Sequence, residues 1–288
     1  MPSETIPNPG TLYVVATPIG NLADITYRAV EVLGAVQLIA AEDTRHSARL
    51  LQRYGIGTPC MALHEHNERA QLERLIGRLK RGDSIALISD AGTPLISDPG
   101  YLLVREAREQ GLGVVPVPGP SAFLAALSVS GLPTNRFCFE GFLPPRDGAR
   151  RSRLEALRDE ERTLVFYESP RRIGATLRQM SEVFGAGRPA VITRELTKSF
   201  ETIHGDALEN LCRWMEQDSN RSRGEFVLLV AGAAKRPAGA GLDAHAKRVA
   251  QILAAELPSR QAAELAAKIT GERKNLLYEH IVAPERRS

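Results

Sequence analysis

The chain has 288 residues, of which 43% are hydrophobic and 25% are charged, and its formal net charge is only +3. These proportions are typical of a soluble globular protein, and the length allows two domains. The low net charge gives little indication of nucleic-acid binding, so local clusters of charge must carry any such argument.

Several classes of protein are excluded by features that the sequence lacks. Cys60, Cys138 and Cys212 are isolated and odd in number, so they form neither a disulfide framework nor a CxxC metal pattern. The N-terminal residues have neither the basic region nor the apolar region of a signal peptide. No apolar run reaches the roughly 18–20 residues of a membrane span. We therefore expect a cytoplasmic protein without a membrane partner.

Strand and helix patterns alternate along the first part of the chain. Strands are predicted at residues 11–16, 36–41, 60–63, 85–88 and 114–117, and helices at 26–33, 44–54, 67–80 and 101–110. Gly55, Gly82 and Gly111 stand where glycine commonly ends a helix. A βαβ series of this kind implies a mostly parallel sheet. We assign residues 1–117 to a first α/β domain.

A second series of elements begins at residue 118. Strands are predicted at residues 137–142, 163–167, 190–193, 200–204 and 225–230, and helices at 121–129, 153–158, 171–184 and 208–216. The alternation is less regular here, which favours a mixed sheet in a second α/β domain at residues 118–232.

The last part of the chain is predicted to be helical. Residues 232–241, GAAKRPAGAG, have the composition of a flexible linker. Helices are predicted at residues 244–256, 260–269 and 272–281, with Ser259 as an N-cap and Gly271 in a turn. Short helices joined by a tight glycine turn resemble a helix-turn-helix, which would give residues 241–288 a role in RNA binding. A helical tail that only packs on the body explains the same pattern.

The most informative segment is SDAGTPLISDPG at residues 89–100. It follows an apolar strand and precedes a helix, so it lies at the carboxyl end of a parallel strand. Ligands bind at this edge in open α/β sheets. Its glycines allow a close approach to the backbone, and its prolines stiffen the loop. The segment therefore predicts a ligand-binding loop.

Two earlier strands end in segments that would reach the same edge. TPIGNL at residues 17–22 matches neither the GxGxxG dinucleotide motif nor the P-loop. AEDTR at residues 41–45 groups Glu42, Asp43 and Arg45, although Asp43 alone could be a helix cap. Three ionisable side chains at one strand end favour a functional role.

Two further segments follow strands of the first domain. HEHN at residues 64–67 contains His64, and its two histidines are either a partial metal site or a substrate-contacting edge. PGPSA at residues 118–122 places Ser121 at the start of a helix, where backbone N–H groups suit an anion.

Three charged segments of the second domain can be explained either by ligand binding or by structure alone. An arginine cluster follows GFLP, and it suits phosphate binding or is simply a solvated loop. YESPRR at residues 167–172 and RELTK at residues 194–198 end strands with mixed charge. They would line the ligand edge or pair with one another.

Taken together, these segments resemble the tetrapyrrole methylase-like family of S-adenosylmethionine (SAM) methyltransferases. The matching motifs occur in order across residues 11–198 as ATPIGNLADIT, AAEDTR, HEHN, SDAGTPLISDPG, PGPSA, GFLP, YESP and RELTK. The set is similar to the branch of that family that methylates the ribose 2′-hydroxyl of a cytidine in the decoding region of 16S ribosomal RNA.

The resemblance implies a fold and a cofactor. The fold is a class III methyltransferase: two α/β domains with SAM bound in the cleft between them, plus a small C-terminal helical segment. The positions that would contact SAM are Pro18, Gly20, Asp90, Gly92, Thr93, Pro94, Ser97, Ser121, Ala122, Tyr167 and Leu196. The family also implies a partner, 16S rRNA in the small ribosomal subunit, and a homodimer.

The chemistry of methyl transfer suggests candidate catalytic residues. A 2′-hydroxyl is a weak acid, so a general base would help, and Glu42, Asp43 and His64 are the candidates. Arg45 could hold a phosphate or stabilise the developing oxyanion. No metal is required. The candidate RNA contacts are Arg146, Arg150, Arg151, Arg153, Glu168 and Lys198. A tetrapyrrole methyltransferase of the same fold and a non-catalytic SAM- or RNA-binding module remain as alternatives.

Overall fold

In the computed structural model, which describes residues 9–234, 242 and 244–282, the first part of the chain alternates strands with helices. The elements are β1 (Thr11–Val15), α1 (Tyr27–Ala35), β2 (Leu38–Ala41), α2 (Thr44–Arg53), β3 (Cys60–Ala62), α3 (Glu68–Lys80), β4 (Ile85–Ile88), α4 (Tyr101–Glu109) and β5 (Gly113–Val117). These strands pair in parallel in the order β3-β2-β4-β1-β5. The predicted parallel sheet is confirmed, and its element ends differ from the prediction by only one or two residues.

Burial on both faces explains the apolar central strands of this sheet. Every residue of β2 and of β4 is buried, as expected for strands that helices cover on both sides. Leu33 of α1 belongs to the core on one face, and Leu75 of α3 belongs to the core on the other. The polar segments that follow these strands emerge together at the carboxyl edge.

The following part of the chain, residues 122–230, forms a mixed sheet. Its elements are α5 (Ala122–Val129), β6 (Phe137–Phe142), α6 (Asp147–Ala156), β7 (Thr163–Glu168), α7 (Ile173–Phe184), β8 (Pro189–Arg194), β9 (Thr202–Ala207), α8 (Leu208–Glu216) and β10 (Phe226–Val230). The strand order is β6-β7-β10-β8-β9. Only the β6–β7 pair is parallel among these strands of residues 137–230. The predicted mixed sheet is confirmed.

Helix α6 differs from the prediction, which placed the arginine cluster in a loop and a helix only from residue 153. The helix begins at Asp147 and ends at Ala156. Its inner face buries Arg150 and Leu154, which lie four residues apart and therefore share one side of the helix. The charged residues around them, together with Gly148, concealed this period in the sequence.

The chain divides into two compact units, Met1–Ala233 and Ala234–Ser288. Both sheets belong to the first unit, so the predicted boundary between residues 117 and 118 stays a prediction. Residues 235–241 of the predicted linker lie outside the described residues.

The second unit contains α9 (Ala244–Glu256), α10 (Ser259–Thr270) and α11 (Lys274–Val282). Its small core includes Ala250, Ala263 and Leu277, so alanines allow the helices to approach one another closely. Gly271 ends α10 in the left-handed conformation, with φ of 73°. The N-cap of α10 is Pro258, and the predicted cap, Ser259, is the first residue of the helix.

None of the helices in the described part of the chain is both long enough and apolar enough to cross a membrane.

Candidate active site

The loop after β4 is tied to the ends of β1 and β2. Thr17 and Gly92 pair in an antiparallel bridge, with N–H···O distances of 2.8 and 3.0 Å. The backbone N–H of Asp43 donates to the Asp90 carboxylate at 3.0 Å, and the N–H of Asp90 donates to Glu42 at 3.3 Å. Polar groups from three strand ends therefore meet at the edge where the sequence predicted a ligand site.

Unusual backbone conformations mark the loops that face each other across this edge. Leu95 and Ser97 have φ of 72° and 70° in the loop after β4. Glu195 and Thr197 have φ of 50° and 66° in the loop after β8. Non-glycine residues rarely adopt this left-handed region, and such strain clusters at functional sites.

An inner cavity of about 330 Å³ opens between these loops, within the size range of small-molecule sites. Most of its lining is apolar, from residues such as Ile19, Ile96, Phe142 and Val227. Among the predicted SAM contacts, those that line it are Gly92, Thr93, Ser97, Ser121, Ala122, Tyr167 and Leu196. Pro94 lies within the same loop but does not line the cavity.

Two titratable groups of the inner cavity have perturbed pKa values. Burial raises the pKa of the Tyr167 phenol to about 12, so it is neutral at physiological pH. Burial also raises the pKa of Asp98 to about 6, and the nearby carboxylates of Glu42 and Asp90 add to the effect. Asp98 was not among the predicted site residues, although it is the second aspartate of SDAGTPLISDPG.

Glu168 also lines the inner cavity, but its carboxylate is already satisfied. Its oxygens accept hydrogen bonds from the Thr176 hydroxyl at 2.6 Å and from the backbone N–H of Ser169 at 2.7 Å. Arg172 completes an ion pair at 2.7 Å, and the Glu168 side chain is fully buried. This arrangement leaves little capacity for Glu168 to bind a ligand.

An outer cavity of about 590 Å³ is lined by most of the 17–22 loop. It shares Ile19, Ala91 and Glu225 with the wall of the inner cavity, so the two adjoin. Among the predicted site residues, those that line the outer cavity are Pro18, Gly20, Asp90, Arg45 and Lys198. The structure thus divides the predicted residues between neighbouring cavities.

The 17–22 loop is fastened to the loop after β8. The backbone N–H of Asn21 donates to the Thr197 hydroxyl at 3.1 Å. A Cβ on Gly20 would lie 2.5 Å from Cγ of Lys198, so any side chain at this position would displace the lysine. Burial lowers the pKa of Lys198, but hydrogen bonds to Glu225 and Glu195 raise it more, and the ammonium stays charged.

The candidate bases lie at the same edge without lining either cavity. Asp43 caps α2 by accepting from the Arg45 N–H at 2.8 Å. The hydrogen bond from the Arg45 guanidinium lowers the pKa of Asp43 to about 2, which makes it a weak base. The backbone N–H of His64 donates to the side-chain oxygen of Asn67 at 2.9 Å. The Nδ1 atom of the His64 ring is buried and has no hydrogen-bond partner in the described part of the chain.

The arginines of α6 differ in their surroundings. Arg150 is only 2% exposed and binds Gln179 and Asp147. Arg151 and Arg153 are half exposed and are paired with glutamates. Arg146 is exposed at the start of the helix. The buried guanidinium of Arg150 therefore supports the fold and is not available to a phosphate.

Among the described residues, no group of three or more His, Cys, Asp or Glu side chains is placed to hold a metal ion.

Comparisons with known proteins agree with this architecture. A family model described as Tetrapyrrole (Corrin/Porphyrin) Methylases matches residues 11–212. A second, described as RsmI C-terminal HTH domain, matches residues 240–283. Solved structures of similar fold include a uroporphyrin-III-C-methyltransferase from Thermus thermophilus, with a TM-score of 0.54, 20% identity and coverage of 77% of this chain and 94% of that one. A diphthine synthase matches with a TM-score of 0.61 and 17% identity, covering 77% of this chain and 90% of that one.

Curated relatives are similar over nearly their full length. A protein of Pseudomonas aeruginosa named ribosomal RNA small subunit methyltransferase I is 57% identical, covering 97% of this chain and 99% of that protein. A protein of the same name from Escherichia coli O157:H7 is 54% identical, covering 94% of each chain. The chain therefore belongs to the tetrapyrrole methylase family of methyltransferases, in the branch of the ribosomal RNA small subunit methyltransferase I proteins.

Proposed function

We propose that this enzyme transfers a methyl group from SAM to the ribose 2′-hydroxyl of a cytidine in the decoding region of 16S ribosomal RNA. The relatives that share more than half of its residues are named as methyltransferases of small-subunit ribosomal RNA. The observation that carries the proposal is the pair of adjoining cavities. One is mostly apolar and includes the carboxylate of Asp98, which forms no ion pair within the described residues, and the other has arginine, histidine and lysine in its wall.

The inner cavity fits SAM, the methyl donor of this family. Gly92 stands at its wall with φ of 85°, and a Cβ there would lie 3.4 Å from Ile19 and 3.8 Å from the Pro120 carbonyl oxygen. The backbone can therefore approach a ligand closely at this position. The apolar lining suits an adenine ring, and the neutral phenol of Tyr167 adds an aromatic edge.

Asp98 supplies the charge that SAM requires. When bound, SAM contributes a methyl group on a sulfonium sulfur, and it also carries an ammonium group. The Asp98 carboxylate makes no ion pair with any described residue, unlike the paired carboxylates of Glu168 and Glu225. An anion in a partly desolvated wall favours a cationic ligand. Asp98 would therefore hold the cationic end of SAM, beside the predicted contacts on the 89–100 loop.

The catalytic assignment rests on the residues after β2 and β3. The 2′-hydroxyl must lose its proton as the new C–O bond forms, so a proton acceptor near the outer cavity would help the reaction. Glu42 and His64 remain proposed acceptors, and Arg45 a proposed stabiliser of negative charge. Asp43 fits better as the cap of α2, because its low pKa makes it a poor base.

The proposed RNA contacts lie outside the cavities as well as in the wall of the outer one. Arg146, at the N-cap of α6, is exposed, Arg151 and Arg153 on the helix are half exposed, and Lys198 lines the outer cavity. The C-terminal unit matches a helix-turn-helix model and is a further proposed RNA contact. The small ribosomal subunit as partner, a homodimer and a cytoplasmic location complete the proposal.

Methyl transfer from tritiated SAM tests this function. We expect label in 16S rRNA when the enzyme is incubated with small ribosomal subunits or with naked 16S rRNA. Nucleotide mapping should place the label on a ribose that then resists alkaline cleavage at its 3′ phosphate, because cleavage requires a free 2′-hydroxyl. Label on a base, or on a tetrapyrrole offered instead of RNA, would contradict the proposal.

A further inference from the structure

The mouth of the outer cavity carries positive charge that the protein itself does not neutralise. Arg45, His46 and Arg49 project from the first turns of α2 and line this cavity. Arg45 is paired with Asp43 at 3.0 Å, in an exposed ion pair. The side chains of His46 and Arg49 make no ion pair or hydrogen bond with any residue of the described part of the chain. The Arg49 guanidinium is therefore a cation with no partner among the described residues and is available to a phosphate, and the His46 imidazole beside it offers a further polar group without such a partner.

Ser47 adds a second, independent indication of a ligand. It lies on the same helix, lines the same cavity and is only 3% exposed. Its hydroxyl oxygen is buried and has no hydrogen-bond partner among the residues that the structure describes. Serines within helices commonly bond to the carbonyl four residues earlier, and Ser47 does not. Leaving a buried hydroxyl unpaired costs about 1–3 kcal/mol, so a group supplied from outside would satisfy it.

Position restricts what this group can be. The outer cavity shares Ile19, Ala91 and Glu225 with the proposed SAM cavity, so its occupant would lie beside the methyl donor. Its volume of about 590 Å³ accommodates a nucleotide-sized ligand. Its lining mixes cations with the acids Asp90 and Glu225, of which Glu225 is paired with Lys198, and this mixture suits the phosphate and hydroxyl chemistry of a sugar-phosphate backbone.

We infer that the outer cavity is the acceptor nucleotide subsite, in which Ser47 bonds an oxygen of the ribose-phosphate backbone and Arg49 and His46 contact its phosphates. The inference rests on the proposed function, because it names the part of the RNA that this edge of the sheet receives. It assigns RNA recognition to α2, on the carboxyl edge of the first sheet, in addition to the arginines of α6.

Ser47→Ala tests the buried contact. Loss of one hydrogen bond should raise the KM for small ribosomal subunits about five- to tenfold. SAM affinity, measured by calorimetry, should stay within about twofold, because Ser47 does not line the inner cavity. The denaturant midpoint should stay the same or rise, since the variant loses an unpaired buried hydroxyl. A purely structural serine would instead lower the midpoint and leave the KM unchanged.

Arg49→Gln tests the phosphate contact, and Arg53→Gln is its matched control. Arg53 is an exposed arginine one turn further along α2 that lines neither cavity. Filter binding of radiolabelled small ribosomal subunits across a salt series should show a slope reduced by about 0.7–0.9 for Arg49→Gln. Arg53→Gln should leave the slope unchanged.

The outcomes separate this inference from the function on which it rests. Wild-type KM in Ser47→Ala together with a wild-type slope in Arg49→Gln, while methyl transfer proceeds normally, would overturn the subsite alone. Equal slopes for Arg49→Gln and Arg53→Gln would also overturn it, because they would indicate only diffuse charge. If the wild-type protein binds subunits through Arg49 but transfers no methyl group, the proposed function fails and the subsite stands.

Discussion

Gly92 allows the backbone to form the wall of the inner cavity. Its φ of 85° is unfavourable for any other residue, and the space beside it is limited by Ile19. Gly92→Val should therefore weaken SAM binding at least about tenfold, which corresponds to about 1.4 kcal/mol. Isothermal titration calorimetry measures this directly.

The control for Gly92→Val is Gly111→Val. Gly111 has a similar φ of 70°, follows α4 and has open space around its Cβ position. Both variants pay the cost of a left-handed β-branched residue, so their unfolding midpoints should fall together. Only Gly92→Val should lose SAM affinity; equal affinities in the two variants would remove Gly92 from the proposed site.

Asp98 predicts the pH dependence of SAM binding. Burial raises the pKa of its carboxyl from 3.8 to about 6, so the group becomes neutral as the pH falls through 6. Because the ionised form attracts the cationic ligand, affinity should be about tenfold lower at pH 5 than at pH 7. Asp98→Asn should bind weakly at both pH values, with a flat profile. A wild-type profile in Asp98→Asn would contradict this role.

The same shift has the opposite effect on stability. A carboxyl whose pKa is raised on folding stabilises the native state most at low pH, and that stabilisation is lost as the pH rises from about 4 to about 6. Asp98→Asn should therefore be at least as resistant to urea as the wild-type enzyme at pH 8. A binding defect at that pH would then reflect the ligand contact and not a loss of folding.

At the scale of single residues, the sequence indicated which loops form the candidate site better than it indicated the role of each side chain. The composition of SDAGTPLISDPG predicted a ligand loop, because strand ends of parallel sheets meet at one edge, and the structure places this loop in the wall of the inner cavity. Asp98 and Ser47 were missed, because desolvation and an unpaired hydroxyl depend on neighbours from distant segments. Glu168 shows the converse, since its charge is satisfied by Thr176 and Arg172 only in the folded chain.

Helix α6 separates structural from accessible arginines. Arg150 is buried against Gln179, so Arg150→Ala leaves a cavity and unpaired polar groups. We expect it to lower the free energy of unfolding by about 2–4 kcal/mol. Arg151→Ala removes only exposed ion pairs and should cost less than about 1 kcal/mol. Urea unfolding followed by the fluorescence of Trp214 measures both, and similar values would show that Arg150 is not a core residue.

The strands and helices could be predicted where their buried residues are hydrophobic. Central strands such as IALI at residues 85–88 are apolar throughout, and their ends were predicted accurately. Helix α6 was misplaced because its buried face consists of Arg150 and Leu154 amid charged residues. A buried, paired arginine has the same sequence signature as an exposed one, so periodicity of hydrophobic residues could not reveal this face.

The division of the chain predicts which part binds SAM. All residues that line either cavity lie in the first unit, Met1–Ala233. Removing residues 234–288 should therefore leave the Kd for SAM within about twofold. Methylation of small ribosomal subunits should fall at least about tenfold, because linked contacts on one RNA strengthen one another. Full activity in the shortened enzyme would contradict a role of the helical unit in RNA recognition.

At the scale of the molecule, the alternation of strand and helix patterns predicted that one sheet is parallel and the other mixed, but it did not predict the order of their strands. The order β6-β7-β10-β8-β9 brings the last strand of the first unit to the centre of its sheet. Such pairings join residues far apart in sequence, and local patterns do not specify them. The adjacency of the inner and outer cavities follows from these pairings and could not be predicted either.

The position of the Lys198 side chain over the 17–22 loop has a kinetic consequence. The lysine stem lies directly over Gly20, and its ammonium is held by Glu195 and by the largely exposed Glu225. Ion pairs that water can reach are weak and are screened by salt. We therefore expect a bound SAM analogue to dissociate faster as ionic strength rises, and a stopped-flow displacement series would measure this. The residence time of SAM, and not only its affinity, would then depend on Lys198, which does not line the inner cavity.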